Sequence, residues 1–225
     1  MSVRHEVPDE ILLDFAVGGV NPGKSLLVET HLAMCGPSRE RFEMLELVGG
    51  ALLESLEGVA MRATAASVLA REEDLPRTGP RSAPSPAPAK ADPVRLCGTD
   101  LPAPLAPVAR QALERGAWRS LGLGVRALRL PCSTSRGRTH LLQARPGTRI
   151  APHTHVGEEL VLVLTGAFED EGEVFGRGDV AVNDGSRVHG PAIEDAGPCL
   201  CLVVTEGPIR FTGRGGWLLN QIARL

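Results

Sequence analysis

The chain contains no tyrosine, and aromatic residues make up only 3% of it. Its core must therefore be built from aliphatic side chains, which dominate the 43% of residues that are hydrophobic. No charge of one sign prevails. A formal net charge of −3 offers no bulk attraction to nucleic acid. Basic residues are dispersed, without the basic face of a recognition helix, so direct nucleic-acid binding is not expected. Long apolar runs are also missing. No stretch approaches the roughly 18 apolar residues of a membrane helix, and the opening MSVRHEVPDE lacks the apolar segment of a secretory signal. A cytoplasmic protein without membrane contact is expected. Cys35, Cys97, Cys132, Cys199 and Cys201 form an odd, scattered set, which speaks against a disulfide framework and suits a reducing compartment.

What is present divides in two. Residues 80–93 read PRSAPSPAPAKADP, a Pro/Ala/Ser-rich run without apolar periodicity that behaves as an extended, semi-rigid spacer. Before it the pattern is helical. Pro8-Asp9 opens a run with Ile11, Leu12 and Phe15 on one face, and Gly18-Gly19 closes it. Asn21-Pro22 offers a second start, followed by Leu26, Leu27, Thr30, His31 and Met34. Over residues 38–56, Phe42, Leu45, Val48, Leu52 and Leu53 recur at three- and four-residue steps, with Gly49-Gly50 as a kink or break. A shorter helix is expected around residues 60–71. After the spacer, residues 125–130, 139–145, 159–165, 179–182 and 200–205 are short, apolar and β-rich, punctuated by Gly, Pro, Asp and Asn. The expected class is α + β in two domains: a small helical bundle over residues 1–75, a linker over 76–98, and a β-sandwich or barrel over 99–225. Trp118 and Trp217 are expected to fill the barrel rather than stack on bases.

His153 and His155 stand two apart, so on a strand both imidazoles share a face. Glu159 keeps that parity, whereas Glu158 points the other way. Two imidazoles and a carboxylate beside a strongly apolar strand suit Zn, Fe, Mn, Ni or Cu, without choosing among them. Gly147, five residues, His153-Thr154-His155, three residues, Glu159, six residues and Gly166 together resemble the first cupin motif in full. For the second motif Gly178 stands at the start and His189 at the expected spacing. Asp184, Ser186 and Ile193 replace the usual Pro, Gly and Asn. The resemblance implies a cupin barrel (a double-stranded β-helix, or jelly roll) with His153, His155, Glu159 and His189 as metal ligands.

A second constellation lies in the helical part. His31 and Cys35 are four apart on one helix face, half of a zinc site. A helical hairpin would fold His5 back onto the pair. This region resembles the zinc-binding anti-sigma domain, in which a distant His precedes His-x-x-x-Cys-x-x-Cys; here the last position is Ser38. The resemblance implies His5, His31, Cys35 and position 38 as the ligand set. A neutral hydroxyl is a poor partner beside a thiolate, so zinc held by three ligands plus water or an acidic group, and natural loss of the metal, both stay open.

Together the two parts, with RHEV near the start, LVETHLAMC and LVLTGAF, resemble the ChrR family of anti-sigma factors over nearly the whole chain. That resemblance implies a protein that sequesters an extracytoplasmic-function sigma factor through its helices. It further implies release of that factor on an oxidative, singlet-oxygen-type signal sensed through the cupin domain, with zinc as the metal in both. The thiolate of Cys35 is a second candidate for oxidation, whereas Cys199 and Cys201, on an apolar strand, read as core. The competing reading is a metal-dependent cupin enzyme of dioxygenase type, but no further acid, base or substrate clamp accompanies the motif. A plain metal-storage protein is a third.

Overall fold

A computed structural model describes residues 3–59, 67, 93–122, 124–134 and 137–212. Most of the expected helix at 60–71, the spacer, the boundary at 75 and Trp217 lie outside the described residues. Among these residues no helix is long and apolar enough to cross a membrane.

Three helices open the chain. Helix α1 (Asp9–Ala16) carries Asp9 and Glu10 in its first turn, where carboxylates face the positive end of the helix dipole, and buries Ile11 and Leu12. Helix α2 (Pro22–Leu32) starts as its sequence requires. Pro22 lacks an N–H that would have no helical partner there, and the Asn21 side chain accepts from the N–H groups of Gly23 and Lys24, each at 3.0 Å. Helix α3 (Gly36–Glu54) runs unbroken through Gly49-Gly50, so the expected break does not occur. Phe42 and Leu45 of α3 pack on the core, whereas Val48, Leu52 and Leu53 are exposed.

A hairpin of β1 (Arg95–Leu96) and β2 (Thr99–Asp100) spans the expected start of the barrel at 99 and leads to helix α4 (Leu105–Arg115). The sequence reading missed α4. Pro107 in its first turn hides a helix that Leu105, Ala109 and Ala112 nevertheless anchor by burial. The remaining strands are β3 (Arg119–Gly122), β4 (Val125–Arg129), β5 (Arg138–Ala144), β6 (His153–His155), β7 (Glu159–Thr165), β8 (Phe168–Asp170), β9 (Glu173–Phe175), β10 (Val180–Asn183), β11 (Ala192–Ile193), β12 (Cys199–Thr205) and β13 (Ile209–Phe211). Six of them form an antiparallel sheet in the order β10-β7-β12-β5-β4-β3. A smaller sheet runs β11-β8-β9, and β13 pairs with β6. The expected strands at 125–130, 139–145, 159–165, 179–182 and 200–205 correspond to β4, β5, β7, β10 and β12.

The large sheet is apolar on both faces, which explains why β7 and β12 read as continuous hydrophobic runs. One parity of β7 and β12 (Leu160, Leu162, Leu164; Leu200, Leu202, Val204) joins one core cluster, together with Leu12 of α1, Leu27 of α2 and Leu105 of α4. The other parity (Val163; Cys199, Cys201, Val203) joins Phe168, Phe175 and Ile193 of the small sheet in the barrel interior. Residues 1–46 and 93–225 accordingly form one compact unit, and residues 47–92 a second. Within the first unit, α1 and α2 and the barrel share a core. Lys24 of α2 reaches Glu158 and Glu206, each at 2.6 Å, on the sheet face opposite the interior. Trp118 lies half-buried against the outer core under the Arg126 guanidinium, 4.7 Å from the ring centroid, and not inside the barrel as expected.

Candidate metal centre

Alternation on short strands turns selected side chains inward. Glu159 opens β7 on the same face as Val161 and Val163, while Glu158, one residue earlier, pairs with Lys24 outside. His153 and His155 are the two buried ends of β6, with Thr154 between them facing away. His189 lies outside a named strand, but its backbone exchanges two hydrogen bonds with His153, at 2.9 and 3.0 Å. The four side chains meet: the ligating atoms of His153, His155, Glu159 and His189 all lie within 4.8 Å of one another, and all four residues are buried.

Surrounding groups set the chemistry of this cluster. A carbonyl or carboxylate can only accept, so His153 Nδ1 carries its hydrogen toward the Ala151 carbonyl at 2.9 Å. His189 Nδ1 donates in the same way to Asp170 Oδ2 at 2.6 Å. Both rings thus present Nε2, with its lone pair free when the ring is neutral, to the cluster. Such outer partners fix a histidine for metal ligation. His155 Nε2 lies 2.8 Å from His189 Nε2 and 3.2 Å from Glu159 Oε2, while Asn183 Nδ2 donates to Glu159 Oε2 at 3.3 Å. Two imidazole nitrogens that close repel unless a proton or cation lies between them. His155 Nδ1 is buried without a hydrogen-bond partner.

Burial dominates the ionisation. It pushes Glu159 up to about 7, and the His189 charge and the Asn183 bond offset only part of that. It lowers His153 and His155 to about 4, with the neighbouring imidazoles adding to the effect on His155. For His189 burial acts downward, but the hydrogen bond and charge of Asp170 and the charge of Glu159 outweigh it, and its pKa is raised. The cluster opens on a cavity walled by Leu142, Val161, Phe168, Ile193 and Phe211, which keeps water sparse and the dielectric low. Three imidazoles and a carboxylate, buried and already gathered, can hold a divalent metal ion.

The helical constellation is arranged differently. His31 of α2 and Ser38 of α3 are fully buried and meet, Nε2 to Oγ, at 2.9 Å. The Ser38 hydroxyl donates to Glu6 Oε2 at 2.7 Å, and Arg41 donates to the same oxygen at 2.7 Å. His31 Nδ1 donates to the Gly178 carbonyl at 3.0 Å. The His5 ring instead stacks on Phe175, 4.3 Å between centroids, with Asp179 and Glu173 carboxylate oxygens 3.6 and 3.7 Å from its nitrogens. Its backbone is pinned there too: the His5 N–H donates to Asp179 and its carbonyl accepts from Val180. Cys35 is buried at the α2–α3 turn. Among the described residues, only the barrel cluster gathers three or more His, Cys, Asp or Glu side chains at ligating distance.

Three contributing residues escaped the sequence reading. Asn183 follows Asp-Val-Ala-Val at inward parity, so a polar residue on an interior face was its signal. Asp170 ends β8 at the same parity as buried Phe168. Glu6 had no signal, because its partners Ser38 and Arg41 both come from α3, 32 and 35 residues further along the chain.

Residues 109–209 match the family model of the ChrR cupin-like domain. The chain is 39% identical over 213 residues to "Anti-sigma-E factor ChrR" of Cereibacter sphaeroides, spanning 94% of this chain and 93% of that protein. Its fold is similar to the anti-sigma chain in the crystal structure of Rhodobacter sphaeroides SigE in complex with the anti-sigma ChrR. The TM-score is 0.69 at 36% identity, covering 91% of this chain and 100% of that one.

Proposed function

The chain belongs to the ChrR family of anti-sigma factors, regulators rather than enzymes, and from that premise we propose that it sequesters an extracytoplasmic-function sigma factor in the cytoplasm. The relative's solved complex with SigE supports this reading. The observation that carries it for this chain is the apolar stripe of α3. Met44, Leu47, Val48, Leu52 and Leu53 recur at helical spacing, yet each is at least half exposed. Contiguous exposed apolar surface of this kind marks a protein-binding face. Co-purification with the cognate sigma factor tests it. The full chain is expected to retain the sigma factor, and Leu47→Asp with Leu52→Asp to release it. Retention by the double variant at wild-type affinity would remove α3 as the docking face.

We further propose that the barrel cluster senses the signal, an oxidant of singlet-oxygen type, with zinc as its ion. A bound divalent cation supplies the charge that keeps Glu159 ionised and ties β6, β7 and the His189 segment together. The route to the helices runs along β10. Asn183 at one end bonds Glu159, and at the other end Asp179 and Val180 hold the backbone of Arg4 and His5. A variant with His153→Ala and Glu159→Gln is expected to stay bound to the sigma factor under a singlet-oxygen generator that dissociates the wild-type complex. Wild-type release from that variant would defeat the sensing proposal.

A further inference from the structure

The family resemblance implies a second zinc ion in the helical region, but the side chains there do not fit one. Structural zinc takes four donors at close range, and affinity falls steeply when a thiolate is missing. The barrel shows what a gathered set looks like in this same chain, with four ligating atoms within 4.8 Å of one another. In the helical corner His31 Nε2 meets the neutral hydroxyl of Ser38, and that hydroxyl is spent on Glu6. His5 is turned to Phe175 and fenced by Asp179 and Glu173. Two of the four expected donors are thus a hydroxyl and an imidazole stacked on Phe175, its Nδ1 buried without a hydrogen-bond partner.

What stands there is a buried polar cluster. His31 Nδ1 donates to the Gly178 carbonyl at 3.0 Å, and the one hydroxyl proton of Ser38 goes to Glu6 Oε2 at 2.7 Å, with His31 Nε2 2.9 Å from the same hydroxyl oxygen and Arg41 donating to Glu6 at 2.7 Å. The cluster joins the same parts that a metal would cross-link: the N-terminal arm at Glu6, α2 at His31 and α3 at Ser38 and Arg41. It also ties them to the barrel at Gly178, a residue in the left-handed region (φ 93°) where a Cβ would come within 2.7 Å of Val3. His31 and Ser38 are fully buried, so their bonds compete with no water and hold position as a ligand shell would.

We propose that this polar cluster replaces the helical zinc site, so that the corner keeps its shape without metal and the protein carries one ion, that of the barrel. Metal content of the full chain, purified without chelator and measured by inductively coupled plasma mass spectrometry, tests it. One equivalent per chain is expected in the wild type, falling to none when His153→Ala and Glu159→Gln are combined. An equivalent retained by that variant overturns the proposal. No metal in the wild type would overturn the count of one ion and sink the barrel reading with it. Because the variant may be poorly folded, loading of the wild type with cobalt(II) gives an independent readout. The barrel ligands are nitrogen and oxygen, so no thiolate-to-cobalt absorption band is expected; a band that Cys35→Ser removes overturns the proposal. Ser38→Ala and Glu6→Gln should lower the melting temperature by the same amount with and without EDTA. A loss confined to the EDTA samples counts against the proposal.

Discussion

The barrel centre and the helical corner begin from similar material: buried histidines, acidic neighbours and a family pattern that implies zinc in each. They end differently. In the barrel, His153 and His189 each spend Nδ1 on an acceptor and turn Nε2 toward a shared point with His155 and Glu159. In the corner, His31 also spends Nδ1 on a carbonyl, but its Nε2 meets a serine that passes the contact to Glu6. A histidine oriented by its outer partner is therefore not enough to make a metal site. The identity of the group it faces decides whether the corner recruits an ion or closes on itself.

The sharpest way to break this contrast is to ask whether the two regions are separate bodies at all. Leu27 of α2 is fully buried in the core cluster shared with the barrel. Leu27→Ala should cost about 2–5 kcal/mol. Residues of α2 and of β12 should lose their amide-exchange protection together. Loss confined to the helices would divide the shared core.

Next in size, His31→Ala should leave metal content unchanged while lowering stability by about 1–3 kcal/mol, because the Gly178 carbonyl loses its donor. Chemical denaturation combined with metal analysis measures both. The converse variant His155→Ala should lower metal content, and a similar loss from His31→Ala would erase the distinction.

Asp170→Asn keeps the size of the side chain but weakens the charge-assisted bond that orients His189. Metal affinity should fall about 10- to 100-fold, the range found for such outer partners. Competition with a chromogenic chelator reads it, and unchanged affinity would make Asp170 a bystander.

The same contrast predicts a slope with pH. Glu159, raised to about 7, carries a proton below that pH which an incoming cation must displace. His189, also raised, acts in the same direction. Affinity should therefore increase with pH through about 7, changing about tenfold per unit for each proton displaced. His153 and His155, held near about 4, add no slope in this window. A flat profile from pH 5 to 8 would contradict the burial of Glu159.

Much of this is legible in the sequence alone. The spacing of His153, His155 and Glu159 and the parity that separates Glu159 from Glu158 follow from a two-residue repeat, and the structure places both glutamates accordingly. The start of α2 at Asn21-Pro22 is equally local. Helix α3 was harder. Its spacing marks Val48, Leu52 and Leu53 as one apolar face, but spacing does not say whether a core or a partner covers it. Pro107 hides helix α4, and Trp118 packs against the outer core, a position that its apolar ring alone does not reveal.

The residue pattern sets most of the elements and their faces, because hydrophobic period and turn chemistry act over a few residues. It thereby determined which side chains of the barrel look inward. Long-range packing set what those faces meet. It packed α1 and α2 onto the sheet through Leu12 and Leu27, and brought Asp170 and Asn183 to the metal cluster. It set Glu6 against Ser38 and turned His5 to Phe175. Those contacts join residues far apart in the chain, and whether a histidine finds a cation or a hydroxyl depends on geometry that no local spacing encodes.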